Sequence, residues 1–137
     1  MAQPLEFEVR KGDVVMNTQT QPPTPWVVLE VPSDADLPNG VNAVPLGTNA
    51  QGQTTVHEQG GSIFGHQMVP TMQHLSDTQL IAGRRSYLIE EAVAQFARRS
   101  PAAPNMSIIE PIADMQAHQF GADLAQKPAG PKTLRRA

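Results

Sequence analysis

The sequence predicts a small α+β domain, with a β-rich N-terminal part, two C-terminal helices and extended, loop-rich arms. Two observations lead there. Period-two alternation and runs of β-branched residues fall before position 60, whereas a 3.6-residue apolar period begins after Ser76. The 13 Pro and 10 Gly, together with polar Gln- and Thr-containing stretches, leave much of the chain with little to bury.

The first strand is predicted near 5–9, where Leu5, Phe7 and Val9 alternate with Glu6, Glu8 and Arg10. Val14 and Val15 extend it or return from it. Residues 17–25 read NTQTQPPTP, a polar stretch that Pro22, Pro23 and Pro25 are expected to hold extended. Next comes the clearest strand, near 26–31, built from Trp26, Val27, Val28, Leu29, Glu30 and Val31. Pro38-Asn39-Gly40 is a turn in which Pro fixes φ and Gly allows a positive one. A third strand is expected near 41–46. The stretch 47–61, GTNAQGQTTVHEQGG, then reads as a long polar loop, mobile by itself and ordered only through something outside the domain.

Ser76-Asp77-Thr78-Gln79 fits a capping box and opens a helix over about 77–99, interrupted or kinked at Gly83. Ile89, Ala92, Val93 and Phe96 recur at helical spacing and form its apolar face. Arg98 and Arg99 suit its last turn, and Pro101 after Ser100 marks its end. A second helix is expected over about 111–120, with Pro111 in its first turn, Ile112, Met115 and Phe120 near one side, and Gly121 closing it. Residues 1–120 thus read as one domain, and 121–137 as a basic tail containing Pro and Gly. Its core is expected around Trp26, Val28, Ile89, Val93 and Phe96. Removing the tail, or the first nine residues, is expected to spare the core's melting.

Composition narrows the function. The absence of cysteine excludes thiol catalysis, disulfides and thiolate metal sites. No apolar run approaches the length of a membrane span, and MAQPLEFEVRK carries acids where an export signal needs apolar residues, so neither membrane nor secretion is expected. His57, His66 and His74 match no zinc spacing. Glu6/Glu8 and Glu90/Glu91 read as solvated or dipole-matched acids, and Asp34/Asp36 lack the calcium-loop spacing. Gly60-Gly61-Ser62-Ile63-Phe64-Gly65 lacks the lysine of a phosphate loop. No enzyme activity, metal or cofactor is expected.

The formal charge of −3 is unevenly laid out, with no Lys or Arg between Gly12 and Gly83. Arg84, Arg85, Arg98, Arg99, Lys132, Arg135 and Arg136 are therefore the candidates for contacting an acidic partner.

The segment Gly83-Arg84-Arg85-Ser86-Tyr87-Leu88-Ile89-Glu90-Glu91-Ala92-Val93-Ala94-Gln95-Phe96 resembles the second helix of ribbon-helix-helix regulators. The resemblance implies a DNA-binding dimer with a Gly/Arg turn before a helix capped by Ser86, and a DNA phosphate held there beside Arg85. It also implies a groove-reading strand at about 63–69, offering His66 and Gln67, and a first helix between 71 and 82.

The favoured reading is a non-catalytic structural or interaction protein of a large multi-subunit assembly. Most specifically it is a viral (phage) virion component such as a capsid decoration or cement protein, located in a virion or the cytoplasm. Its expected partners are other protein subunits, copies of itself included. Nucleic acid, through the ribbon-helix-helix likeness, is the alternative.

Overall fold

In the computed structural model, which describes residues 5–99 and 102–137, the chain forms eight strands and two helices. They run β1 (Glu6–Val9), β2 (Asp13–Asn17), β3 (Thr24–Glu30), β4 (Gly40–Thr48), β5 (Thr54–Val56), β6 (Gly61–Phe64), β7 (Met68–His74), α1 (Asp77–Arg99), α2 (Met106–Ala125) and β8 (Lys132–Arg135). The α+β expectation holds: sheets come first and the helices pack as a C-terminal pair.

Alternation in β3 sets the layers. Val28 points to one face of the sheet and Val27 and Leu29 to the other, and all three are buried. A strand covered on both faces reads as a continuous apolar run, as Trp26 to Leu29 does. Five strands lie in the antiparallel order β5-β4-β3-β2-β7, and β6 pairs with the first part of β4, beside the stretch that β5 takes. One core lies between the sheet and a separate two-stranded ribbon of β1 and β8; it contains Val9, Val15, Val28, Val41, Ile63, Met68 and Leu134. The second lies between the sheet and the helices, where Val27, Leu29, Val44 and Val56 meet Leu80 and Leu124.

The strands predicted near 5–9, 26–31 and 41–46 correspond to β1, β3 and β4. Leu5, however, stands outside β1 and is 66% exposed. Residues 17–25 do not form one extended stretch: Asn17 ends β2, Thr24 and Pro25 begin β3, and 18–23 turn between them. Asn17 pairs with Thr24, and Thr20 closes the intervening hairpin loop by bonding the Pro22 carbonyl (2.9 Å) and the Thr24 hydroxyl (3.0 Å). At 38–40 the positive φ belongs to Asn39 (55°), leaving Gly40 free to open β4.

The polar loop expected at 47–61 is instead organised from within. Asn49 accepts the backbone N–H groups of Gln51 (3.0 Å) and Gln53 (2.8 Å), which turns the chain so that β5 pairs back onto β4. Arg84 of α1 then donates to the carbonyls of Val56 (3.1 Å) and His57 (3.0 Å). No outside partner is needed to order this segment.

Residues 121–137 likewise do not form a free tail. They complete α2 and supply β8, whose Leu134 is fully buried. Deleting them would remove Leu124 and Leu134 from the two cores, so the core's melting cannot be spared.

The Ser76 capping box is present: the Ser76 hydroxyl accepts the Gln79 N–H (3.2 Å) and the Gln79 side chain accepts the Ser76 N–H (2.8 Å). α1 runs without interruption through Gly83. Its predicted end mark, Ser100-Pro101, lies outside the described residues. α2 is longer than the predicted 111–120, because Asn105, which accepts the Ser107 N–H at 3.1 Å, caps it six residues before Pro111. Pro111 therefore lies inside the helix, on an exposed position. Gly121 does not end α2; it is where Ile81 of α1 packs closest.

Candidate interaction surface

The surface begins with how the helices choose their buried faces. α1 turns Leu80, Gly83 and Tyr87 inward. Gly83 is essential to this approach, since a Cβ there would lie 2.6 Å from Cγ2 of Val56. Sequence periodicity overlooks such a face, because Gly carries no hydrophobic signal and Tyr a mixed one.

The stripe expected to enter the core is therefore displaced. Ile89, Val93 and Phe96 are only half-buried. Ile89 and Val93 line an open groove of about 410 Å³ with Met106 and the 49–53 turn. Of the other two predicted core residues, Val28 is fully buried and Trp26 packs half-buried against the ribbon-side core.

In α2 the inward positions are Ile109, Ala113, Ala117 and Leu124. Ile108 and Ile112, each one residue before an inward position and so about 100° around the helix, and Met115, two before Ala117, remain 56%, 45% and 65% exposed. Scattered exposed apolar residues are ordinary, but three large ones aligned at i, i+4 and i+7 make a continuous stripe. The sequence places Ile112, Met115 and Phe120 near one side of this helix. The signal was correct, but the seam with α1 lies elsewhere on the helix.

The seven candidate cations separate into two groups. Lys132, with 8% of its side chain exposed, donates to the carbonyls of Pro32 (2.8 Å), Leu37 (2.6 Å) and Gly40 (2.8 Å) and lies 3.3 Å from Asp34. Arg84 joins α1 to β5 and stacks over Phe120 at 3.9 Å; burial pushes its guanidinium below its usual value, opposed by the Glu58 charge. Arg136 donates to the Met68 carbonyl (3.1 Å), and Arg85 pairs with Asp114 across the two helices. These four are engaged within the fold, Lys132, Arg84 and Arg136 by backbone carbonyls and Arg85 by a surface ion pair that contributes little to stability. Arg98 and Arg99 are exposed at the end of α1, and Arg135 is exposed on β8.

Three of the four histidines are occupied locally. His57 packs against Tyr87 with ring centres 4.5 Å apart, His66 stacks on Phe64, and His74 bonds Asp13 at 2.8 Å. Burial, reinforced by Glu91 and Glu58, raises the Tyr87 hydroxyl above its ordinary value. Among the described residues no three His, Asp or Glu side chains converge as a metal site, and no helix is long and apolar enough to cross a membrane.

The premises of the ribbon-helix-helix likeness are not realised. Gly83, Arg84, Arg85 and Ser86 lie inside one continuous helix, so their N–H groups form no helix start to hold a phosphate. The expected strand at 63–69 is broken by a 3-10 turn over Gly65–Gln67, and the expected first helix overlaps β7. The chain matches no protein-family model, no curated protein and no solved structure.

Proposed function

We propose that this protein is a non-catalytic structural or interaction component of a multi-subunit assembly. The observation that carries the proposal is the stripe of Ile108, Ile112 and Met115, a row of large apolar side chains that the fold leaves in water. Burying such side chains stabilises association by about 25 cal/mol per Å² of apolar surface removed from water. A second feature supports it: β7 is an edge strand, and Met72 upon it is fully exposed. The finer reading, a virion component such as a capsid decoration or cement protein acting in a virion or the cytoplasm, follows from the cysteine-free, Pro- and Gly-rich composition.

The test is sedimentation of the tagged full chain from cells that carry its gene. The expected result is a stoichiometric share in particles far heavier than 14.8 kDa, reduced by Ile112→Asp or Met72→Asp. A chain found only in the low-mass fractions would overturn the proposal.

A further inference from the structure

We infer that the exposed side of α2 is a self-pairing seam, and that its occupant is α2 of a second copy of this chain. The inference rests on the assembly reading above and names the first partner within it.

The spacing is the first argument. Ile108, Ile112 and Met115 stand at the alternation of four and three by which helices pack along a shared seam. α2 already uses one such seam, with Ile109, Ala113 and Ala117 against α1. A helix with two seams is suited to a four-helix arrangement in which two hairpins meet.

Charge selects the occupant. No acidic or basic residue stands at these three positions; Glu110 and Asp114 lie around the helix from them with Asp114 engaged by Arg85, and Asp123 lies two turns beyond Met115, where it accepts a hydrogen bond from Gln119 (3.0 Å). In a two-fold contact each patch meets itself, so any charge on it would face its own kind. A neutral stripe avoids that penalty even in a chain of net charge −3. An acidic or basic partner, by contrast, would find no complement there. In an antiparallel pair with the axis near Ile112, Ile108 of one copy lies opposite Met115 of the other. The contact is narrow, below the roughly 800 Å² per partner of a standard interface, so the dimer is weak and depends on concentration.

The experiment is sedimentation velocity on the purified full chain from micromolar to submillimolar concentration. The expected mass rises from 14.8 kDa toward twice that value. Ile112→Asp, at a surface position, keeps the circular dichroism of the parent and weakens association about thirtyfold or more. Because the chain has no cysteine, Ile112→Cys supplies its sole thiol, and mild oxidation links two copies when the axis passes there. A monomer at every concentration, or a dimer that Ile112→Asp leaves intact, overturns the inference. A monomeric chain that still enters heavy particles in cells refutes self-pairing and leaves the assembly reading standing; a dimer that enters none supports the seam and refutes that reading.

Discussion

Lys132 shows why counting cations along the chain misjudged their use. Its ammonium has three donors, and three backbone carbonyls from the 32–40 segment accept them, so a residue chosen for its charge acts as a staple between β8 and that segment. Lys11 does similar work, donating to the Leu124 carbonyl at 2.8 Å near the end of α2. Lys132→Met keeps the aliphatic stem but leaves the carbonyls without their charged donor; the expected loss is about 3 kcal/mol in urea unfolding. Asp34 adds a pH dependence. The Asn39 backbone N–H, and then Lys132, hold its carboxyl below the ordinary 3.8. A lowered folded value contributes stability that is present above 3.8 and disappears as pH falls through the folded value. The stability difference between the parent and Asp34→Asn should therefore narrow on acidification in that window, as read by urea midpoints. A difference that is constant with pH would show that the carboxylate charge is not involved.

At the scale of elements, two helical glycines separate propensity from packing. Replacing Gly by Ala inside a helix gains about 1 kcal/mol of propensity. At Gly83 the new methyl would stand 2.6 Å from Val56 Cγ2, on a short, fully buried side chain that cannot move aside, so overpacking of roughly 1–3 kcal/mol outweighs that gain. At Gly121 the nearest atom is Cδ1 of Ile81, also at 2.6 Å but at the free end of a flexible side chain. Gly83→Ala is therefore expected to lower the thermal midpoint and Gly121→Ala to leave it nearly unchanged or raise it; the opposite order would contradict this account of how α1 is seated. The same helices show what the sequence made legible. Ser76 and Gln79 announced the start of α1 because a capping box is local. The buried face of α1 was not legible, because it depends on how close β5 lies to Gly83. The start of α2 at Asn105 was masked by Pro111, a residue that more often opens a helix than sits inside one.

For the whole molecule, legibility followed sequence separation. β1, β3 and β4 were readable from their own alternation. β5 has three residues and exists through pairing with β4 and capping by Arg84. β7 contains Pro70, which argues against an interior strand, and it is indeed at the sheet edge. β8 offers only Leu134 as an apolar residue, and its partner β1 lies at the far end of the sequence. The interaction surface was half legible: Ile112 and Met115 were seen as one side of a helix, but exposure is a property of the packed hairpin. What results is a three-layer fold in which four of the seven candidate cations are engaged by the protein's own carbonyls and carboxylates, while an apolar stripe is turned outward. That inversion is the reason for placing contact on α2 rather than on the basic residues. Methionine oxidation measures it directly, because Met115 lies in the stripe and is 65% exposed, and the same methionine in the Ile112→Asp variant serves as the reference. With dilute peroxide and peptide mass spectrometry, Met115 of the parent should become protected relative to Met115 of Ile112→Asp as the chain concentration rises. An oxidation ratio that stays constant across concentration would contradict the claim that this stripe is where copies of the chain meet.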